Sequence, residues 1–348
     1  MRVRLKPLAE QTLVITGASS GIGRTAARLA GEAGARVVLA ARDREALESA
    51  ADAVVRAGGE AEVVVCDVSD EAEVGRLARV AREAFGGVDT WVNNAGTTVY
   101  GRLDEISIED LRRLMDVNFW GTVYGSRAAV PLLEARGREG GTGAALVNMG
   151  SVLSERTIPL QGMYCATKHA IKAFTDGLRM ELAHRGAPVS VSLVKPATIA
   201  TPIYDVARSY LRRRPRPVPP LYAPEVAARA ILTCATRPTR ELYAGGAAAA
   251  LGAAEEFAPG VTDRVMEGTM FELQQSDEPP TNARGNLYAP LDPGAERGRY
   301  DGVVLEHSAY TAAAARTPGG GAGVALAAAL GVLALVGAAA GGRRSDGR

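Results

Sequence analysis

Residues 162–169 read GMYCATKH, which sets Tyr164 four positions before Lys168 in a helical pattern. Residues four apart share one face of a helix. A free phenol has a pKa of about 10, too high for efficient proton transfer near neutral pH. An ammonium close by favours the phenolate and draws that value down. The pair could therefore act as a general acid or base; the plain alternative is a buried aromatic beside a surface lysine. Lys168 is informative because the chain is poor in lysine, with only Lys6, Lys168, Lys172 and Lys195.

A second constellation lies in TLVITGASSGIGRTAARLA, where Gly17, Gly21 and Gly23 follow an apolar run and open a helical pattern. A strand-to-helix turn of this kind needs residues that tolerate unusual φ/ψ and close backbone approach. The helix then aims its free N–H groups and positive dipole end at the crevice, which suits a pyrophosphate. Ser19, Ser20 and Ile22 lie in the same turn; a tight turn without a ligand is the bland reading. At the end of the next apolar run, LAARDRE puts Ala41 where an NAD site carries an acid for the ribose 2′-hydroxyl. Arg42 follows, and its planar fork suits a 2′-phosphate, so the expected cofactor is NADP(H) in preference to NAD(H). A solvated surface charge is the alternative for Arg42, and Asp43 suits a helix cap. Asp67, in CDVSD, could accept from an adenine amine beside Val68, with Ser69 or Asp70 capping the helix after it. Asn94, Ala95 and Gly96, in NNAG, end the fourth run and could line the cofactor cleft.

The elements that must position these groups alternate in type. Apolar runs occur at 12–16, 36–41, 61–66, 89–94, 144–150, 189–194 and 241–246, with helical patterns such as 21–33, 43–57 and 70–85 between them. Continuous Val/Leu/Ile-rich runs predict strands buried on both faces. The alternation predicts an α/β fold, a Rossmann-like doubly wound parallel sheet of about seven strands with helices on both faces.

With these residues in place, the sequence closely resembles the short-chain dehydrogenase/reductase family over roughly residues 8–246. The resemblance rests on TGASSGIG (16–23), NNAG (93–96), DVNFWGT (116–122), Gly150-Ser151, YCATK (164–168) and KPATIATP (195–202). It implies an oxidoreductase that moves a hydride between NADP(H) and a carbonyl or secondary alcohol. It also implies a catalytic set of Asn118, Ser151, Tyr164 and Lys168. By that resemblance Tyr164 is the general acid or base, Lys168 also bonds the nicotinamide ribose, Ser151 holds the substrate oxygen, and Asn118 anchors a water chain. Ile199 and Thr201, after Pro196, would meet the nicotinamide and favour pro-S hydride transfer. Family members often have Pro-Gly where this chain has Pro196-Ala197, which stiffens that turn. The family also implies a homo-oligomer joined through helices at 107–135 and 161–185, and places a substrate lid at 203–223. A catalytically idle cofactor-sensing or scaffold protein on the same fold is the rival, disfavoured because such proteins commonly lose the Tyr/Lys pair.

Composition narrows the setting. The 348 residues are 47% hydrophobic and 23% charged, with net charge +1, so no global field recommends nucleic acid. Cys66, Cys165 and Cys234 lack any metal or redox spacing, and His169, His184 and His307 form no ligand pattern; no metal is read. No long apolar stretch precedes the first run, so no signal peptide is read and a cytoplasmic catalytic domain is expected. Residues 247–318 read as a partly ordered extension. Residues 319–342 are uncharged and long enough for a transmembrane or membrane-associated helix, with a basic tail at 343–348. That apolar tail hints at a lipophilic substrate.

Overall fold

The computed structural model describes residues 3–139, 141–279, 284–291 and 294–317. The seven apolar runs form one sheet of seven parallel strands: β1 (Thr12–Thr16), β2 (Arg36–Ala41), β3 (Glu60–Val65), β4 (Thr90–Asn93), β5 (Ala144–Met149), β6 (Val189–Pro196) and β7 (Glu241–Ala244). Their order across the sheet is β7-β6-β5-β4-β1-β2-β3. The order reverses between β1 and β4, the place where parallel sheets of this kind open a ligand crevice outside their carboxyl ends.

Strand side chains alternate between two helical layers. Leu13, Ile15, Val37 and Leu39 face α1 (Gly21–Glu32), α2 (Arg44–Arg56) and α7 (Pro224–Thr236). Val14, Val38, Trp91 and Leu146 face α3 (Glu71–Phe85), α5 (Gly121–Glu139) and the end of α6 (Gly162–His184). The buried side of α1 is built from small residues, Ala26, Ala27, Ala30 and Gly31, and Gly31 lets it approach Val54 of α2 closely. Between the two central strands Asn93 and Asn148 are opposite one another and hydrogen-bonded at 2.9 Å. Ser126 and Thr175 complete this buried network. A slip of register would leave those polar groups unpaired, at a cost of about 1–3 kcal/mol each.

Two features go beyond the predicted pattern. Helix α4 (Ile108–Met115) joins α5 through a π-helical turn, Asp116–Trp120, a device common near functional sites. The chain after β7 adds α8 (Gly246–Phe257), α9 (Pro259–Leu273) and α10 (Ala309–Arg316). Residues 284–291 and 294–300 lie against the loops at the carboxyl edge of the sheet, and Val304–Leu305 pairs with Leu221–Tyr222. The three cysteines are buried and free. The segment 319–342 lies outside the described residues; among those described, no helix is long and apolar enough to cross a membrane.

Candidate active site

The glycine turn takes its shape from close contacts. Gly17 and Gly21 have φ of +64° and +51°. A Cβ on Gly17 would stand 2.8 Å from the Ala95 Cα, and one on Gly23 would stand 2.1 Å from the Gly17 carbonyl oxygen. The Asn94 side-chain amide donates to the carbonyls of Thr16 and Gly17 at 2.9 and 3.2 Å. In return the Thr16 hydroxyl accepts from the N–H groups of Asn94 and Ala95. The two loops, one after β1 and one after β4, are thus bolted together across the switch point. Ser20, at the N-cap of α1, makes no side-chain capping bond. Asp43 caps α2 and Asp70 caps α3 with their carboxylates. The amino end of α1 faces the crevice, with the Gly21 N–H held by the Ala295 carbonyl at 2.9 Å, and the glycine cradle leaves room for a phosphate against the backbone. These residues fit a dinucleotide.

Beside the glycine turn the crevice opens into a cavity of about 200 Å³, lined by Gly17, Ser19, Ser20, Gly21, Ile22, Arg42, Asp67, Val68, Asn94, Ala95 and Gly96. Arg42 stands at the end of β2 as predicted, but its guanidinium donates to the carbonyls of Asn286, Leu287 and Tyr288 at 2.6, 3.4 and 3.2 Å. Asp67 faces the same cavity and pairs with Arg113 at 2.6 Å while accepting from Ser69. Burial alone would raise its pKa; the bonds from Ser69 and Arg113 outweigh burial and hold the carboxyl below its usual range.

The chemical half gathers the predicted residues. Ser151, Tyr164 and Lys168 line a second cavity of about 390 Å³, which shares Ile22, Asn94, Gly96 and Thr201 with the first and also meets Pro196 and Ile199. Ser151 follows β5 and opens a short 3₁₀ turn, Val152–Ser154, its hydroxyl accepting from the Leu153 N–H at 3.0 Å; it lines the same cavity as Tyr164. That turn is pinned by Glu155, which accepts from buried Lys195 at 2.8 Å. Lys168, only 5% exposed, donates to the Met149 carbonyl at 2.9 Å and stands 5.6 Å from the centre of the Tyr164 ring. Asn118 does not line the cavity. It sits in the π-helical turn, 1% exposed, where its amide accepts from the Thr97 N–H and donates to the Thr97 carbonyl and the Thr167 hydroxyl. It ties the loop after β4 to the helix that carries Tyr164 and Lys168.

The electrostatics depart from expectation. Burial raises the Tyr164 pKa well above that of a free phenol, with Cys165 adding to the rise and the nearby Ser151 hydroxyl only partly offsetting it. Lys168 does not draw it down here, because the same depth acts on the ammonium and lowers Lys168 to about 8. With no anion beside it, the lysine is the group poised near neutrality and the tyrosine is held as a phenol.

The Pro196-Ala197 departure is accommodated across the sheet edge. A Cβ on Gly245 would stand 2.8 Å from the Ala197 Cβ and 2.9 Å from the Tyr222 ring. The methyl group gained at 197 is thus met by a glycine at 245. Ile199 is buried against Tyr222, and the Thr201 carbonyl accepts from the Tyr300 hydroxyl. The region 203–223 lines the second cavity through Ile203, Tyr204, Arg216, Val218, Pro219 and Pro220, opposite Leu251 of α8 and Met266 and Met270 of α9. Sequence reasoning missed Thr16, the two methionines and Asn286 and Leu291. Only the apolar spacing of α9 hinted at the methionines, and nothing in the polar stretch around 286 signalled a cavity wall.

The comparisons agree with this geometry. The family model described as short chain dehydrogenase matches residues 11–210. The uncharacterized oxidoreductase YxnA of Bacillus subtilis is 42% identical over 319 residues, covering 90% of this chain and 88% of its own. An uncharacterized oxidoreductase of Staphylococcus aureus is 32% identical over 231 residues, covering 66% of this chain and 93% of its own. Among solved structures, an alcohol dehydrogenase from the archaeon Thermococcus sibiricus, complexed with 5-hydroxy-NADP, superposes with a TM-score of 0.58 at 27% identity, over 67% of this chain and 95% of that one. Levodione reductase superposes with a TM-score of 0.52 at 28% identity, over 56% and 74%. With the parallel sheet, the bolted glycine turn and the Ser/Tyr/Lys cluster at its carboxyl edge, the chain is an oxidoreductase belonging to the short chain dehydrogenase family.

Proposed function

We propose that the enzyme interconverts a carbonyl and a secondary alcohol with NADP(H), with Tyr164 as general acid or base. One observation carries this reading: Ser151, Tyr164 and Lys168 open on a cavity that continues into the glycine-turn crevice. The bound nicotinamide supplies or accepts the hydride. Ser151, which lines the same cavity, orients the substrate oxygen beside Tyr164. The phenol, kept protonated by its depth, gives its proton to the oxygen in the reducing direction. Lys168 reloads it, and Asn118 positions that helix from behind. Replacing Tyr164 by Phe removes the proton and leaves the glycine turn intact. Turnover should fall by about 10³-fold or more, with NADPH binding within about threefold by titration calorimetry. Undiminished turnover would reject the role.

The preference for NADP(H) is supported by Arg42 at the end of β2 and by the absence of an acid at Ala41. The Thermococcus enzyme is complexed with an NADP analogue. Arg42 has five N–H donors, so the carbonyls of Asn286, Leu287 and Tyr288 and a 2′-phosphate can share or compete for it. Arg42→Ala should weaken NADPH binding about tenfold more than NADH binding; equal losses would refute the preference. The walls formed by Val152, Leu153, Ile158, Leu251, Met266 and Met270 favour a mainly apolar substrate. The complete Ser/Tyr/Lys cluster weighs against an idle sensor or scaffold.

A further inference from the structure

Resting on the cofactor reading above, we infer that residues 284–291 and 294–300 form the outer wall of the dinucleotide site and hold the bound cofactor by lying across it. These two stretches follow the crevice from one end to the other. At the adenosine end the carbonyls of Asn286, Leu287 and Tyr288 take Arg42, and the Asn286 side chain accepts from the Thr97 hydroxyl at 2.6 Å. At the amino end of α1 the Ala295 carbonyl accepts from the Gly21 N–H at 2.9 Å. At the far end the Gly298 N–H donates to the Ala200 carbonyl at 3.1 Å, and Tyr300 bonds Thr201. Every one of these partners belongs to the glycine turn, the end of β2, the loop after β4 or the loop after β6.

The strap bridges the crevice without filling it. The cavity beside the glycine turn has Gly17, Ile22, Asp67 and Val68 on the sheet side and Asn286, Pro290 and Leu291 on the strap side. Asn286 and Leu291 therefore belong to the cofactor site, although they lie beyond the 11–210 stretch that the family model matches. The match to YxnA leaves about a tenth of the 348 residues uncovered, some 35, so it extends past residue 300 wherever it begins. The strap is fastened outside the cavity, by Leu287 buried against Val99, Ile106 and Leu114 and by a two-bond ion pair from Arg28 to Glu296. A wall fastened on both sides of the crevice narrows the way in and out for a dinucleotide. Lifting these stretches widens it, and on this reading the strap sets the exchange rate of the cofactor.

The test loosens the fastenings and leaves the lining alone. NADPH release from the full-length protein is followed by fluorescence after a chase with excess NADP⁺. The double variant Leu287→Ala/Glu296→Gln should release NADPH at least about tenfold faster than the unaltered protein. Amide exchange in the unaltered protein gives a second reading that needs no variant. Peptides covering 284–291 and 294–300 should exchange at least about tenfold more slowly with saturating NADPH. Unaltered protein that binds NADPH with no change in exchange over these stretches, or a folded double variant with an unchanged release rate, overturns the strap's role. Unaltered protein that binds neither NADPH nor NADH overturns the cofactor reading itself.

Discussion

At the scale of single residues, the site depends on which group titrates near neutrality. Lys168 sits at about 8, lowered by burial. It is charged below that pH and neutral above it. If Lys168 reloads Tyr164 during carbonyl reduction, the rate should fall as pH rises through about 8. Arginine stays protonated across this range, so Lys168→Arg should lose that limb in a pH–rate profile even though it turns over more slowly. An unchanged limb in the variant would assign it to another group. The linkage has a definite sign: burying the Lys168 charge costs stability below about pH 8, and the cost is relieved as pH rises toward the usual lysine value. Tyr164 and Lys168 were legible as a pair because helical spacing fixes the face they share, whereas Ser151 came only from the family resemblance. The pair's proton affinities were not legible, because depth in the crevice is a property of everything packed around them. Arg42 illustrates the same limit: its position was readable, its strap partners were not.

At the scale of elements, two devices place the chemistry. The first is the pair of loops bolted by Asn94 and Thr16. Gly23→Ala would drive a methyl group to 2.1 Å from the Gly17 carbonyl and 2.5 Å from the Asn94 amide. NADPH affinity should fall at least about tenfold as the turn shifts, read by titration, while far-ultraviolet circular dichroism stays that of the folded protein. Retained affinity would show that the contact is relieved cheaply. The second device is the π-helical turn. Asn118→Ala leaves the buried N–H and carbonyl of Thr97 without this partner, at a cost of about 2–3 kcal/mol in urea unfolding. Strand and helix positions were readable to within one or two residues because buried parallel strands are unbroken apolar runs. The glycine spacing likewise marked the first turn. The π-helical turn was not readable, since DVNFW has no composition that separates it from an ordinary helix.

At the scale of the whole molecule, the core sheet was legible and its C-terminal covering was not. The stretch from 284 to 300 is rich in Gly, Pro and charge, which reads as loop, yet residues 284–291 and 294–300 are held by scattered backbone and side-chain bonds and by the burial of Leu287, all to residues far away in sequence. Such partners leave no periodic trace. The helices expected to join subunits carry exposed Ile108, Trp120 and Met180, at 61%, 43% and 64%. We expect light scattering to give a dimer or tetramer, and Trp120→Glu combined with Met180→Glu to shift it toward monomer; a monomeric unaltered protein would remove the expectation. The bond between Gly21 and Ala295 joins the start of the fold to nearly its end. Ribosomes add roughly 5–20 residues per second, amino end first, so β7 is complete roughly 3–10 s before Ala295 is made. During that interval a nascent chain would present its nucleotide groove open on one side. Loading would then be easiest before synthesis finishes, and stalled chains ending short of the strap should trade NADPH faster than the finished protein.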